Sequence, residues 1–324
     1  MRRLLLTASA ATSMALALAG CGTTESAPDS SGKSSGRIAL TDATGAKVTL
    51  DGPAEKVVGT EWDVVEHLVS LGVDPAGVAD VKGYKTWNSA VPLKNTPKDI
   101  GTRGEPSMDT VAALKPDLIV ATTDLPSAAV KQLRKVAPVL AVQSADASGQ
   151  IARMNGNLDL IAKATGKEKR ARSVERKFAA KIAAGRKALR EAGRDGTEIA
   201  FADGYVTSNQ VSIRAYTRRS LIGAVNEKLG LKNAWKVKGD KKYGMATTDV
   251  EGLTGLGDVE FAHIAAEEAG SDPFGHELKK NATWTSLPFV KNDKVHRLPR
   301  GIWMFGGPGA MGAYADAVVD ALKK

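Results

Sequence analysis

Residues 82–107 read KGYKTWNSAVPLKNTPKDIGTRGEPS and carry Tyr84, Trp87 and Arg103 in otherwise polar company. Aromatics make up only 5% of the chain, so a loop holding two of them needs a reason. Rigid aromatic faces can line a concave mouth, and the planar fork of an arginine offers several donors to ligand oxygens. The same two rings could instead cover a hydrophobic edge. A second set lies far along the chain: Arg214 and Tyr216, then Trp303 and Phe305 just ahead of the last helix. Opposed aromatic platforms with arginines suit a bulky ligand that has an organic skin and oxygen-rich polar groups.

Signals for catalysis are weak by comparison. Gly307-Pro308-Gly309-Ala310-Met311-Gly312 matches G-x-G-x-x-G, but a dinucleotide fingerprint needs a further strand and an acidic residue about 20 positions on. Only twelve residues follow Gly312, so the motif reads as a tight turn and a helix start. His67, His263, His276 and His296 spell no metal-ligand spacing and read as core, surface or hydrogen-bonding residues. There is no serine nucleophile elbow, and no acid–base pair stands out among the carboxylates. The expectation is a binding protein with no cofactor and no directly bound metal. The different-class alternative is an exported α/β enzyme using a nucleotide cofactor, and a lipid-anchored scaffold is the plainest one.

The elements that would position these residues alternate regularly. RIALTDATGAKVTLDG has a hairpin signal at Asp42-Ala43-Thr44-Gly45. EKVVGT is a short β-rich run, and Trp62, Val65, Leu68 and Val69 then share a helical face that Gly72 ends. Ser107 can cap a helix that Lys115-Pro116 stops, and DLIVAT follows as a continuous apolar strand of the kind buried in a parallel sheet. Residues 39–145 thus read as an N-terminal α/β lobe. Residues 150–193 form a basic helical connector with Val174, Phe178, Ile182 and Leu189 on one face, and 197–324 form a C-terminal α/β lobe. Ligands of paired lobes usually sit in the crevice between them.

The amino terminus sets the compartment. Arg2 and Arg3 precede an apolar run, Leu4 to Ala19, that is too short to span a bilayer. Residues 1–20 resemble a bacterial lipoprotein signal with Leu18-Ala19-Gly20-Cys21 as its lipobox, which implies cleavage before Cys21 and a lipid on its thiol. Residues 21–38 read as a flexible tether. Removing residues 1–20 takes away two arginines, so the formal net charge of +9 becomes +7. Export and the lack of a recognised motif argue against nucleic acid as the partner of this basic surface. The sole cysteine is accounted for by the lipobox, and a domain this large folds without disulfides.

Together AEKVVGTEWDVVEHLVSLGVDPAGVAD, IGTRGEPSMDTVAALKPDLIV, SLIGAVNEKLGLKNAW and WTSLPFVKNDKVHRLPRGIWMFGG resemble, in order and spacing, the iron–siderophore substrate-binding proteins of ABC importers. The likeness extends over most of residues 45–324. It implies a class III periplasmic-binding-protein-like fold, two Rossmann-like α/β lobes joined by a long rigid helix, with limited hinge movement. It implies a monomer, anchored by lipid on the extracytoplasmic face of the cell membrane, that binds a ferric siderophore and docks on an ABC permease. In the hydroxamate-type branch a cleft tryptophan and a following arginine fall on Trp87 and Arg103, and the paired carboxyl-end aromatics fall on Trp303 and Phe305. Arg214 stands where that branch has an aromatic, and Phe305 replaces a tyrosine; an extra arginine favours a more negative or oxygen-rich ligand. The acids that face permease arginines fall on Asp109 and Glu227. Cobalamin or haem is the alternative cargo, although no histidine offers itself clearly as an axial ligand.

Overall fold

The computed structural model describes residues 36–207, 210–265 and 272–323. The signal, the lipobox with Cys21 and most of the tether lie outside the described residues. The chain opens with the antiparallel hairpin β1 (Ile38–Thr41) and β2 (Lys47–Leu50), whose turn is held by the Asp42 carboxylate accepting from the Thr44 and Ala46 amides.

The first lobe is then built in strand–helix pairs: β3 (Val57–Gly59), α1 (Trp62–Leu71), β4 (Gly77–Val78), α2 (Val81–Trp87), β5 (Lys98–Asp99), α3 (Met108–Leu114), β6 (Leu118–Thr122), α4 (Ser127–Leu133) and β7 (Val139–Val142). Every strand pairing in this sheet is parallel, in the order β5-β4-β3-β6-β7, so each connection must cross over through a helix. Strands β6 and β7 are buried along their whole length, as their unbroken apolar sequences require. Ser107 caps α3 by accepting from the Thr110 amide, and α3 ends at Lys115, a left-handed C-cap (φ 48°) followed by Pro116, which cannot continue the helix.

Two helices lead out of this lobe, α5 (Gln150–Thr165) and α6 (Glu168–Glu191), with Gly166 between them at φ 66°. At about 1.5 Å per residue α6 is roughly 36 Å long, enough to reach from lobe to lobe. Phe178, Ile182 and Leu189 are buried on its inner face and Val174 packs against the first lobe's core. Its lysines and arginines occupy the exposed remainder, the ordinary arrangement of an amphipathic helix.

The second lobe comprises β8 (Glu198–Thr207), β9 (Gln210–Tyr216), α7 (Leu221–Lys228), β10 (Lys232–Asn233), β11 (Met245–Thr248), β12 (Glu260–His263), the short helices α8 (Ala282–Ser286) and α9 (Pro288–Lys291), β13 (Val295–Arg297) and α10 (Pro308–Leu322). Its sheet runs β11-β9-β8-β12-β13 and is mixed: β8–β9 and β9–β11 are antiparallel, β8–β12 and β12–β13 parallel. The long β8–β9 ribbon departs from the simple strand–helix rhythm expected here. Met311, Tyr314, Val318 and Leu322 of α10 are all buried, in the register their spacing predicts. One apolar cluster joins α1, α6, β8 and α10, so the two lobes share core as well as a connecting helix.

Candidate functional site

The lobes meet around a cavity of about 240 Å³ lined by Glu61, Asp63, Arg103, Ser144, Arg214, Tyr243, Met245, Trp303 and Phe305. In the first lobe every lining residue follows the carboxyl end of a strand: Glu61 and Asp63 after β3, Arg103 after β5, Ser144 after β7. This is where open α/β sheets place their ligands, because the loops there converge while the helices cover the faces. Arg214 and Met245 come from neighbouring strands β9 and β11, and Trp303 and Phe305 from the loop between β13 and α10. Two hollows of about 650 Å³ lie elsewhere, one lined by Lys82, Lys85 and Arg300 among others, one by Arg297, Arg300 and Asp320. Neither brings aromatic rings together, so the smaller inter-lobe cavity is the better candidate.

Arg103 is fixed from three sides. Its Nη1 donates to Glu61 Oε1 at 2.8 Å, and the same oxygen accepts the Trp62 amide at 2.8 Å, so Glu61 caps α1 and holds the guanidinium at once. The guanidinium carbon lies 3.9 Å from the centroid of the Trp62 ring and 5.2 Å from that of Trp303. The Trp62 indole is 3% exposed and shares its Nε1–H between the carbonyls of Ala79 and Asp80, both at 3.2 Å. From there an aromatic chain runs across the lobes: Trp62 meets Trp303 edge-on at 4.8 Å, Trp303 meets Phe305 at 5.0 Å, and Phe305 meets Tyr243 at 5.4 Å.

Arg214 is held just as firmly. Its Nε donates to Asp203 Oδ1 at 2.7 Å, its Nη2 reaches Oδ2, and Tyr216 donates its hydroxyl to the same oxygen at 3.2 Å. Burial alone would lower the Arg214 pKa, but the Asp203 carboxylate more than offsets this and the guanidinium stays charged. Asp63, in the first turn of α1, is 6% exposed, and its carboxyl is pushed well above the usual carboxylate range by burial, with Glu61's charge adding to the effect. The Tyr243 phenol is raised to about 12, mainly by burial, so at neutral pH it is a hydroxyl donor. The rim of the cleft is bridged by Asp124 to Lys242 and Tyr243, and by Arg219 Nε donating to the Ala147 carbonyl at 2.8 Å.

Of the residues singled out in the sequence, Arg103, Arg214, Trp303 and Phe305 line this one cavity. Tyr216 lies beneath it, fully buried, 5.9 Å from Phe305. Trp87 and Tyr84 do not line the cavity, and the expected Trp87–Arg103 pairing is corrected: the tryptophan at Arg103 is Trp62. The reason is local. Helix α2 is only seven residues long, Tyr84 faces the core with its hydroxyl donating to the Val91 carbonyl at 2.7 Å, and Trp87 packs half-buried against the same core. Trp62, by contrast, begins the helix that leaves β3 at the sheet's carboxyl edge. Its place after EKVVGT was the available signal, but its apolar face assigned it to the helix core. Glu61, Asp63, Ser144 and Tyr243 were missed because isolated polar or loop residues carry no periodic mark, and Met245 because it opens a short strand with no signal of its own. Asp109 and Glu227 are exposed on α3 and α7, and Glu227 accepts from Arg218 Nη1 at 3.3 Å.

The glycine-rich start of α10 surrounds a carboxyl group, and that group comes from the protein itself. Glu66 of α1, fully buried, accepts the Ala310 amide at 2.9 Å and Asn88 Nδ2 at 3.0 Å, with the Gly307 and Gly309 amides also directed at it. A Cβ on Gly306 would stand 2.3 Å from Glu66 Oε2, so the turn must be glycine to admit the carboxylate. The site that a phosphate would need is therefore filled by the protein's own side chain. His67 and His263 are buried and held largely by desolvation at a pKa of about 4, and His296 pairs with Glu260 at 2.6 Å. Among the described residues no group of three or more His, Cys, Asp or Glu is placed to hold a metal ion.

Residues 57–300, three quarters of the chain, match the family model described as periplasmic binding protein. The chain belongs to the periplasmic binding protein family. This family member is 28% identical over 299 residues to the Fe(3+)-citrate-binding protein YfmC of Bacillus subtilis, covering 89% of this chain and 87% of that one. It is 23% identical over 255 residues to the iron(3+)-hydroxamate-binding protein FhuD of Escherichia coli, covering 78% and 81%. Among solved structures, the Fe3+–Desferal-bound siderophore-binding protein FhuD of Vibrio cholerae superposes with a TM-score of 0.74 at 24% identity, covering 83% of this chain and 98% of that one. That likeness establishes the fold of this binding protein: two α/β lobes with α6 between them.

Proposed function

We propose that the protein captures a ferric siderophore, of hydroxamate type, outside the membrane and delivers it to an ABC permease. A lipid on Cys21 would hold it at the extracytoplasmic face. The observation that carries this reading is the inter-lobe cavity in which Arg103 is clamped over Trp62 beside Trp303 and Phe305. Aromatic faces give contact area and exclude water, while guanidinium donors meet carbonyl or hydroxamate oxygens. The chelator supplies the iron ligands, so the protein need only recognise the outer surface of the complex, and no bond in the ligand changes. Pockets that engulf a drug-sized ligand measure about 300–1,000 Å³. The cavity here is smaller, at about 240 Å³, so a ferric chelate would be gripped on one side and left partly exposed. The iron-related names of the citrate- and hydroxamate-binding relatives support the cargo class.

Titration of the full-length chain in non-ionic detergent against ferric trihydroxamates, ferric catecholates, haem and cobalamin tests this through tryptophan fluorescence. A ferric trihydroxamate should quench saturably. Arg103→Ala should weaken it by about ten- to a hundredfold, the loss of one or two charge-assisted hydrogen bonds. Binding of haem or cobalamin with no response to any ferric chelate would overturn the proposal. Asp109 and Glu227, both exposed acids on separate lobes, are proposed as the permease contacts. Reversing both charges should abolish stimulation of the permease while leaving chelate affinity intact.

A further inference from the structure

The two arginines of the cleft give it the look of an anion site, but each already has its counter-ion. Glu61 neutralises Arg103 and Asp203 neutralises Arg214, both through side-chain contacts that also fix the arginines in place. What remains is Asp63. It lines the same cavity and is almost wholly removed from solvent. Among the described residues it accepts a hydrogen bond from the Val64 amide at 2.6 Å, and the cation it feels is Arg103, whose guanidinium is already bound to Glu61. The other groups facing the cavity are Ser144, Met245, Tyr243, Trp303 and Phe305, none of which carries a positive charge. Summed over the lining residues and the carboxylates that hold them, the charge is therefore zero when Asp63 is protonated and negative when it is not.

We infer that this cleft selects, within the ferric-chelate class, for complexes that carry no net negative charge, and that Asp63 is the specificity-determining residue favouring a chelate with a pendant ammonium or other cationic donor. The inference rests on the reading of the protein as a ferric-chelate binder and narrows it. It also reverses what the count of arginines predicts, since an unpaired Arg103 and Arg214 would have favoured an anionic cargo. A polyanionic complex entering here would meet Asp63 and two carboxylates already bound to the arginines it needs, and would have to displace one of them. A cationic arm placed near Asp63 gains instead a partner in a site of low dielectric, where a unit charge is poorly screened. Burial holds the Asp63 proton tightly, so such an arm would draw that proton off on binding.

The test is a charge series on one iron cage. A linear ferric trihydroxamate with a free terminal ammonium, its N-acetyl form and its N-succinyl form carry charges of about +1, 0 and −1 while presenting the same cage. The full-length chain in detergent is titrated with each by fluorescence quenching, at low and at physiological salt. The expected result is that the ammonium form binds about tenfold or more tightly than the succinyl form, with a gap that narrows as salt rises. In Asp63→Asn the ratio between the two forms should fall to about twofold or less. Equal or tighter binding of the succinyl form by the unaltered protein would overturn the inference and needs no variant to show it. So would a ratio that survives Asp63→Asn or, should that variant not fold, Asp63→Ser. If a ferric tris-catecholate binds and no member of the series does, the inference fails while the ferric-chelate reading stands. If no ferric chelate of any charge binds, both fall.

Discussion

Replacing Glu66 should loosen the joint between the lobes more than any surface change of similar size. In the folded protein its carboxylate takes the Ala310 amide and the Asn88 side-chain amide at 2.9 and 3.0 Å, tying α1 of the first lobe to the start of α10 in the second. Glu66→Ala leaves both donors buried without an acceptor, at about 1–3 kcal/mol each. Burial of the carboxyl has its own penalty, visible in its raised pKa, and losing that offsets part of the damage. The net expectation is about 2–4 kcal/mol, a large share of the roughly 5–15 kcal/mol that holds a typical native protein together. Glu66→Gln keeps one carbonyl oxygen for the Ala310 amide but sets an NH2 group against Asn88 Nδ2, so it should lose about half as much. Urea unfolding followed by near-UV circular dichroism measures both. A single transition is expected because one apolar cluster spans α1, α6, β8 and α10. An Ala variant within about 0.5 kcal/mol of the parent would show that the glycine-rich turn does not depend on this carboxylate.

Gly306→Ala should act in the same direction, because its Cβ would sit 2.3 Å from Glu66 Oε2; an unchanged midpoint would refute the steric argument. The His67 imidazole should titrate near pH 4 by nitrogen NMR, and titration near 6.5 would show it is not desolvated. Its folded pKa lies below the unfolded one, so its contribution is intact above about pH 6.5 and is lost as pH falls toward 4, reaching about 2 kcal/mol at pH 5. The fall in stability from pH 7 to 5 should therefore be smaller in His67→Asn, even though Asp63 and Glu66, with raised pKa values, push the opposite way. Lys181→Ala removes a pair with Asp316 linking α6 to α10, but both partners are about half exposed, so stability should change by less than about 1 kcal/mol.

The lobes and the helix between them are legible in the chain read in order. Strands such as DLIVAT are unbroken apolar runs, Ser107 and Lys115-Pro116 punctuate α3, and Phe178, Ile182 and Leu189 repeat at helical spacing; each of these signals is local and survives in one dimension. The sequence also supplied four of the cavity's residues, Arg103, Arg214, Trp303 and Phe305, because charged and aromatic residues in loop-like segments stand out by type. Which tryptophan meets Arg103 follows from the folded chain alone. Trp62 and Trp87 both sit on helices, and which ring reaches the sheet edge depends on where β3 ends and how short α2 is. The sign of the cleft was equally out of reach. Asp203 and Arg214 become partners through the β8–β9 register, Glu61 and Arg103 are 42 residues apart, and Glu66 finds its donors 244 residues away at Ala310. Charge in a site is a sum over neighbours in space, and a chain read in order does not contain that sum until it has folded.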